Sequence, residues 1–419
     1  MTSADEKIRK RVELIAPAGS LLKLKTAVLY GADAVYCGLS DLNLRMRAKN
    51  FTREEMEEGI NFAHNFGAKV YITLNAFLFE RDLKLFEQLA SEAVELKPDA
   101  IIISDPAAIV WFRKNAPHIR FHLSTQAGAM NSIASNFWCE QGVSRIIFAR
   151  ELTLEDLKNI RENAKCEMEI FVQGAMCMSI SGRCLLSSYL CGREADKGDC
   201  QQPCRWVYSI KDVQGDESTF PVIENENGTT ILSAKDLCLF DYLPELIELG
   251  IDGFKIEGRI KTEYYVAGVV RAYRHAIDLY YADSQNYQTP EKWRDELFKI
   301  SHREYSTGFL FGTEKISQTY RVESFIKNTV FKAVVIEKCY NEYKGWVKLI
   351  VKDSIIAGDE MEVMTPHNDF NVKIEELKNV DKKDINSASP GEIVFAKIIP
   401  QVEPFTFLRV LCPPPFLRI

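Results

Sequence analysis

Four cysteines near the middle of the chain have the residue type and the spacing to bind a metal. Cys177, Cys184, Cys200 and Cys204 are arranged as C-x6-C-x15-C-x3-C, among small and polar residues. Four thiolates that converge from one loop can hold a single tetrahedral zinc ion or an iron–sulfur cluster. Structural zinc sites usually present two close cysteine pairs, and here only Cys200 with Cys204 resembles one. The longer gaps fit a cluster wrapped by a loop better, although spacing alone leaves the identity of the metal open.

The other cysteines divide into two groups. The chain has 11 cysteines, and in a reducing compartment they are unlikely to form disulfides, so metal binding is the better explanation for a close set. Cys191, in the same loop, and Cys238, further along the chain, could each replace one of the four ligands, Cys204 first. The remaining cysteines stand alone in apolar runs and are expected to be small buried hydrophobic residues: Cys37, Cys139, Cys166, Cys339 and Cys412.

The elements that position these cysteines are predicted strands that alternate with helices. Near-continuous apolar runs are typical of parallel strands covered on both faces, and eight of them fit a TIM-like (β/α) barrel. Residues 231–236 form a possible ninth or competing strand, and a doubly wound open sheet is the alternative α/β architecture. The eight runs lie at 12–18, 32–38, 69–75, 100–104, 120–126, 145–150, 169–174 and 253–258.

The regular alternation is interrupted once, after Gly174. From about 175 to 230 the sequence is rich in Cys, Gly and polar residues. An insertion after the C-terminal end of a barrel strand lies on the face where barrel active sites form. We therefore predict that the cysteine-rich insertion lies at the mouth of the barrel.

The C-terminal part of the chain has a different pattern. Residues 262–282 predict a long helix, and from about 325 apolar residues alternate with polar ones in short runs separated by Gly and Pro. This period of two favours a small antiparallel β-barrel. The predicted domains are residues 1–320, with the cluster-binding insertion, and residues 325–419.

Composition excludes some classes of protein. Hydrophobic residues make up 46% and charged residues 26% of the 419 residues, as is usual for soluble globular proteins. No apolar run approaches a membrane span, and the N-terminus lacks a signal-peptide core, so we expect a cytoplasmic protein without membrane contact. The net charge of −7 argues against nonspecific coating of nucleic acid but permits a local basic groove.

A long motif connects the chain to a known family. Residues 169–187 match E-x-F-x2-G-[SA]-[LIVM]-C-x4-G-x-C-x-[LIVM]-S at every specified position, and this motif contains Cys177 and Cys184. The match resembles the signature of the U32 "peptidase" family. Segments at 14–20, 31–38, 233–237 and 253–259 also resemble the family, and the overall length is similar to its longer branch, the tRNA 5-hydroxyuridine synthesis proteins.

The resemblance implies a redox function despite the peptidase label. It implies that the cysteines hold a [4Fe–4S] cluster, with a fourth ligand that corresponds to either Cys204 or Cys238. The branch forms 5-hydroxyuridine at the wobble position of tRNA in a reaction that needs prephenate and no molecular oxygen. The implied partners are the tRNA anticodon region, prephenate and, because some members work in pairs, a second U32 protein.

Candidate substrate contacts lie at or just after the ends of predicted strands. Prephenate carries two carboxylates and needs cations, and arginine can bind a carboxylate with two parallel hydrogen bonds. Each of these side chains could instead form a salt bridge or a cap at the barrel rim. The candidate cations are Arg150, Lys235, Lys255 and Arg259, and Glu257, Gln126 and Asn75 are candidate polar contacts.

Three further expectations concern function. Anticodon bases usually stack on aromatic side chains, and the C-terminal β domain is the natural candidate for RNA docking. A true peptidase is the main rival, although the sequence has neither an HExxH nor a GxSxG motif. Under the peptidase alternative, a cysteine could act as the nucleophile together with a histidine that is distant in the sequence. The third alternative is a noncatalytic partner of a second U32 protein.

Overall fold

Eight parallel strands close into a barrel, which confirms the predicted TIM-like architecture. The computed structural model describes residues 11–39, 51–177, 179–180, 183–184, 186–191, 203–205, 207–208, 223–225, 228–230, 235–312, 326–339 and 345–412. The described strands that precede the C-terminal domain are β1 (Glu13–Pro17), β2 (Ala34–Gly38), β3 (Lys69–Leu74), β4 (Ala100–Ile103), β5 (Phe121–Leu123), β6 (Arg145–Ile147), β7 (Glu167–Ala175), β8 (Val207–Tyr208), β9 (Ile223–Asn225), β10 (Gly228–Thr230), β11 (Asp236–Cys238), β12 (Gly253–Ile256) and β13 (Tyr305–Ser306).

The closed barrel consists of β1 to β7 in chain order and β12, which pairs with both β7 and β1. Strands β1, β2, β4 and β12 are buried along their whole length, because helices cover the outer face and side chains fill the interior. Of the remaining strands, β8, β10 and β9 form a small antiparallel sheet within the insertion.

Helices on the outside of the barrel begin where the sequence carries capping signals. Thr52 with Glu55, and Thr153 with Asp156, form capping boxes that start α2 and α6. No helix in the described ranges is long and apolar enough to cross a membrane. The helices are α1 (Leu21–Leu29), α2 (Arg53–Asn65), α3 (Leu83–Glu95), α4 (Pro106–Asn115), α5 (Ser132–Glu140), α6 (Leu154–Asn163), α7 (Leu186–Cys191), α8 (Leu243–Glu248), α9 (Glu263–Ala282) and α10 (Glu291–Lys299).

The possible ninth strand was predicted at residues 231–236, of which 231–234 lie outside the described residues. A described strand, β11, begins at Asp236, the last residue of that run. It pairs antiparallel with the C-terminal end of β7 and parallel with β13, next to the eight closed strands. The reason is that β7 has nine residues and extends beyond its barrel neighbours, so its free edge accepts another strand.

Charged side chains fill the lower part of the barrel interior. The buried Arg145 guanidinium contacts the carboxylates of Glu13 and Glu169, and the Lys255 ammonium lies 2.8 Å from a Glu169 oxygen. Burial alone would raise the pKa of the Glu13 carboxyl. Arg145, together with hydrogen bonds from Lys69, Tyr71 and Arg145, outweighs burial and lowers this pKa from 4.5 to about 2.

This depressed pKa predicts a pH-dependent contribution to stability. Because folding lowers the pKa of Glu13, its contribution is fully present above about pH 4.5 and is lost as the pH falls towards 2. Glu13→Gln should lower the free energy of unfolding by roughly 3 kcal/mol near neutral pH. Denaturant unfolding of both proteins should be measured from pH 7 downwards. The difference in free energy of unfolding between the unaltered protein and Glu13→Gln should narrow only below about pH 4.5. Glu95→Gln, in an exposed pair with Arg53, is the matched control and should change stability little.

The C-terminal domain is a closed antiparallel β-barrel, as predicted. Six strands close in the order β17, β22, β14, β15, β21 and β18, and β18 pairs back with β17. The strands of this domain are β14 (Thr329–Lys338), β15 (Trp346–Val351), β16 (Ile355–Ile356), β17 (Glu360–Met364), β18 (Asp369–Lys378), β19 (Asp384–Ile385), β20 (Ser387–Ala388), β21 (Ile393–Ile399) and β22 (Phe407–Leu411).

A buried group of charges joins the two barrels. Arg409 of β22 contacts Glu296 of α10, Glu362 of β17 at 2.6 Å and Asp369 of β18 at 3.1 Å. Arg271 of α9 contacts the same Glu296 at 3.1 Å and the same Asp369. Both arginines are fully buried. We call these five residues the interdomain charge cluster, and it fixes the C-terminal barrel against α9 and α10.

Two of the isolated cysteines form a disulfide. Cys139, at the end of α5, is bonded to Cys166, just before β7, with their Cα atoms 5.9 Å apart. The expectation that both were unpaired buried residues was therefore wrong for this pair. The end of α5 lies beside the start of β7. The sequence pattern did not predict this disulfide, because the fold brings together residues that are far apart in the sequence.

Candidate active site at the barrel mouth

The floor of the mouth is a layer of buried polar side chains after β3, β4 and β5. Asn75 donates from Nδ2 to Ser124 Oγ at 3.1 Å, and Ser104 donates to Gln126 Oε1 at 3.2 Å. All four are almost completely buried. Asn75 Oδ1 has no hydrogen-bond partner among the described residues. This layer therefore offers a buried acceptor to a ligand that enters the mouth.

Two of the predicted cations and the predicted glutamate lie at the same end of the barrel as this floor. Arg150 donates to the carbonyl oxygen of Ala175 at 3.1 Å, lies 3.8 Å from the centre of the Phe171 ring, and approaches Glu257 at 3.5 Å. Arg259 is buried and donates to Thr73 Oγ1 at 2.9 Å. The structure thus brings Arg150, Glu257 and Arg259 to the same end of the barrel.

The two predicted lysines differ in position. Lys255 points into the barrel interior, where its ammonium contacts Glu169 and lies 3.9 Å from the centre of the Tyr36 ring. Burial lowers the pKa of Lys255, although Glu169 opposes this effect. Lys235 contacts Glu304 at 3.1 Å and directly precedes Asp236, which pairs with Ala175 at the end of β7. Lys235 therefore lies near the mouth end of β7, whereas most of the strand that it was predicted to end, residues 231–234, lies outside the described residues.

The first cysteine pair lies at this mouth. Cys177 follows the end of β7 by two residues. Arg183, next to Cys184, donates to the carbonyl oxygens of Gln126 at 2.9 Å and Ala127 at 3.0 Å, which ties the cysteine segment to the loop after β5. The Cys184 sulfur accepts a hydrogen bond from the Leu186 amide at 3.4 Å. The sequence prediction missed Arg183, although its place between Gly182 and Cys184 in the motif was a usable signal.

The remaining predicted ligands are only partly described. Cys204 is half-buried in the turn Pro203–Arg205, against which α7 packs. Cys200 lies outside the described residues. Among the residues that the structure describes, no three His, Cys, Asp or Glu side chains are close enough to hold a metal ion. The set of soft thiol donors on one segment suits an iron–sulfur cluster, and the full ligand set remains a prediction.

Cys238, the reserve ligand, has a different environment. It pairs in register with Gln173, inward from the end of β7, whereas Cys177 lies beyond that end. Burial raises the pKa of the Cys238 thiol to about 12, despite hydrogen bonds with the Phe240 backbone and the Tyr273 side chain. Cys238 thus lies deeper along β7 than Cys177. Cys204 stays the predicted fourth ligand, with Cys238 as the alternative.

Comparison with known proteins agrees with this architecture. The family model described as "Peptidase family U32" matches residues 19–319, and the model for the "Peptidase family U32 C-terminal domain" matches residues 327–409. The chain belongs to peptidase family U32. Both domains of this U32 protein are therefore accounted for by family models.

Individual U32 relatives carry two kinds of name. The Bacillus subtilis "tRNA hydroxylation protein P1" is 37% identical, with 96% of this chain and 95% of the relative covered. A second protein from that organism, "tRNA hydroxylation protein P2", is 35% identical over 72% of this chain and 98% of its own length. A "Collagenase" from Porphyromonas gingivalis is 29% identical, with 94% of this chain and 96% of the relative covered.

Proposed function

We propose that this U32 protein hydroxylates tRNA, forming 5-hydroxyuridine at the wobble position in a reaction that uses prephenate, a [4Fe–4S] cluster and no molecular oxygen. The observation that carries the proposal is the 37% identity to a tRNA hydroxylation protein across nearly the whole of both chains. The similarity extends through both domains, so the proposal covers the entire described architecture.

The cations at the mouth support an anionic co-substrate. Arg150 and Arg259 are arginines at strand ends, and arginine matches the planar geometry of a carboxylate. Each already has at least one hydrogen bond that fixes its side chain, so little ordering is needed when an anion binds. Prephenate, with two carboxylates, fits a site with two such cations. Glu257, 3.5 Å from Arg150, would hold that arginine in place before the anion arrives.

The polar floor supports recognition of a planar, hydrogen-bonding ligand below these cations. Asn75 Oδ1 is a buried acceptor without a partner among the described residues, and it would accept a hydrogen bond from a uracil N–H or from a hydroxyl group. Ser104, Ser124 and Gln126 hold this amide in place through their mutual hydrogen bonds. Binding in this layer would exclude water from the base.

The cysteine segment would hold the cofactor. Cys177, Cys184, Cys200 and Cys204 are the proposed ligands, and Cys238 is the alternative to Cys204. When bound, a [4Fe–4S] cluster supplies one-electron redox chemistry. Arg183 would keep Cys184 over the floor, because it binds the loop that carries Gln126.

Proteolysis has less support at this mouth. Three of the six histidines are occupied elsewhere: the His122 ring lies 4.7 Å from Tyr71 in the barrel interior, His275 stacks on Trp293 at 4.0 Å, and His302 stacks on Tyr305 at 4.4 Å. Burial lowers the pKa of His122 well below its usual value. Because one relative is named a collagenase, the experiments also measure gelatin cleavage.

The proposal is tested in cells that lack 5-hydroxyuridine because their own hydroxylation genes have been removed. Expression of this chain should restore 5-hydroxyuridine in tRNA, measured by mass spectrometry of nucleosides after growth without oxygen. Restoration should disappear when the cells cannot make prephenate. Unmodified tRNA despite expressed, iron-containing protein would reject the proposal, and gelatin cleavage by the same protein would favour the peptidase alternative. Restoration only in the presence of a second U32 protein would show that the two act as a pair.

Removing a mouth cation should weaken use of prephenate. Arg259→Gln and Arg150→Gln should each lower kcat/KM for prephenate by roughly 10- to 100-fold, mainly through KM, because each loses a charged hydrogen bond to a carboxylate. Arg161→Gln is the matched control and should change kcat/KM little, because Arg161 contacts Asp252 just before the start of β12, at the opposite end of the barrel. An unchanged KM in both arginine variants would place the anion elsewhere.

A further inference from the structure

Two pairs of an aromatic ring and a guanidinium group lie in the segments that follow β3 and β7. Arg81 lies 4.6 Å from the centre of the Phe79 ring, and Arg183 lies 5.9 Å from the centre of the Phe77 ring. Phe77, Phe79 and Arg81 follow β3, and Arg183 belongs to the cysteine segment. Tyr189 lies six residues further on, in α7. We call these five residues the rim strip.

The rim strip exposes large aromatic surface beside the proposed cofactor ligands. The Tyr189 residue is 82% exposed and Phe79 is 47% exposed. Tyr189 lies in the short helix that starts two residues after Cys184, and Ser187 of that helix is fully buried. The buried face fixes α7, so Tyr189 is presented outwards on a supported element. Exposure of one ring alone is ordinary, so the case for a binding surface rests on the arginines that accompany these rings.

Arg183 connects the two parts of the strip. Its guanidinium donates to the loop after β5 and also faces Phe77 in the loop after β3. The start of α7 is therefore held near the side of the mouth that carries Phe79. A ligand that lies along this side would meet rings and cations in alternation before it reaches the polar floor at Asn75.

We propose that the rim strip is a stacking platform for the single-stranded bases that flank the target nucleotide, with Tyr189 and Phe79 as its stacking residues. This inference rests on the proposed tRNA substrate and places RNA docking on the (β/α) barrel, where the sequence had suggested the C-terminal domain. Rings bind bases through their faces, and interleaved arginines contact phosphates and also stack, which is the composition that single-stranded nucleic acid requires. Arginines and aromatic residues also occur together at protein–protein interfaces, so loss of a protein complex is one of the outcomes measured below.

The test measures binding of a fluorescent anticodon stem-loop to the iron-containing protein. Tyr189→Ala and Phe79→Ala should each weaken binding by about 5- to 100-fold, and Tyr189→Phe should restore it, because stacking needs the ring and not the hydroxyl. Phe66→Ala is the matched control: Phe66 is 59% exposed but follows the C-terminal end of α2, away from the mouth. It should bind RNA like the unaltered protein.

A second measurement separates stacking from a general structural effect. Replacing the base next to the target uridine with an abasic site should weaken RNA binding to the unaltered protein. The same replacement should reduce the affinity of Tyr189→Ala or Phe79→Ala only slightly, because these variants have already lost the stacking contact. Arg81→Ala should instead reduce the slope of log affinity against log salt by about one. Equal iron content and thermal stability in all variants would show that each one folds.

The outcomes distinguish this inference from the proposed function. If the unaltered protein binds and modifies tRNA, and the alanine variants do so equally well, the platform is overturned and the proposed function stands. If Tyr189→Ala keeps its RNA affinity but loses a complex with a second U32 protein, the surface is a protein contact and the platform is again overturned. If the iron-containing, unaltered protein neither binds nor modifies RNA, the proposed function itself fails.

Discussion

Cys177→Ser and Cys184→Ser should each abolish tRNA hydroxylation, with activity reduced by more than about 100-fold. Outer-shell partners of a metal typically change affinity or activity by 10- to 100-fold, and loss of a ligand itself should exceed this. Both cysteines lie at the mouth, and Arg183 fixes the second one over the polar floor. The measurements are iron and acid-labile sulfide content, visible absorbance and 5-hydroxyuridine in tRNA.

The same series decides the fourth ligand. Cys204→Ser should lose iron as the first pair does, whereas Cys238→Ser should retain it, because Cys238 lies inward from the end of β7 that Cys177 follows. Cys339→Ser, in the C-terminal domain, is the control for general effects of removing a thiol and should retain iron. Full iron content in Cys177→Ser, or stoichiometric zinc in the colourless unaltered protein, would contradict the iron–sulfur assignment.

Arg409→Ala should produce the largest loss of stability, because it leaves the interdomain charge cluster without one of its two cations. Glu296 and Asp369 would keep their contacts with Arg271, whereas Glu362 would lose its contact with Arg409. Breaking a buried ion pair by removing one partner costs about 3–5 kcal/mol. Denaturant unfolding, followed by fluorescence and by circular dichroism, measures the change.

Two comparisons show whether this loss comes from the buried charges. Arg53→Ala breaks an exposed pair with Glu95 and should cost less than about 1 kcal/mol. The double variant Arg409→Ala with Glu296→Ala should lose less than the sum of the two single variants, because removing both partners leaves fewer buried charges uncompensated. Additive losses, or a cost for Arg409→Ala as small as that of the exposed pair, would show that the cluster does not stabilise the domain contact.

The fold was predictable because its signals are local. Continuous apolar runs predicted the eight barrel strands, Thr52 with Glu55 predicted the start of α2, and alternating apolar residues predicted the C-terminal β-barrel. Residues 237 and 238 of β11 were not predicted as strand, because this three-residue strand depends on the free edge of β7. Arg409 and Arg271 gave no sign of burial, because their partners come from distant elements.

The site was predictable only in part for a similar reason. The motif located Cys177 and Cys184, and positions after strand ends located Arg150, Glu257 and Arg259. Depth within the barrel cannot be read from strand order, so Lys255 was expected at the mouth although its side chain joins the interior charges. The contact of Arg183 with the loop after β5 could not be predicted from sequence either, because the two partners are more than 50 residues apart in the chain.

The central claim, that this U32 protein is a cluster-dependent tRNA hydroxylase, is tested most directly by one anaerobic assay. Iron- and sulfide-containing protein is added to an anaerobic extract from cells without 5-hydroxyuridine, together with their tRNA and prephenate, and the nucleosides are measured by mass spectrometry. We predict 5-hydroxyuridine that requires both the unaltered protein and prephenate and that Cys177→Ser does not form. Equal product from Cys177→Ser, or none from the iron-loaded protein, would contradict the claim.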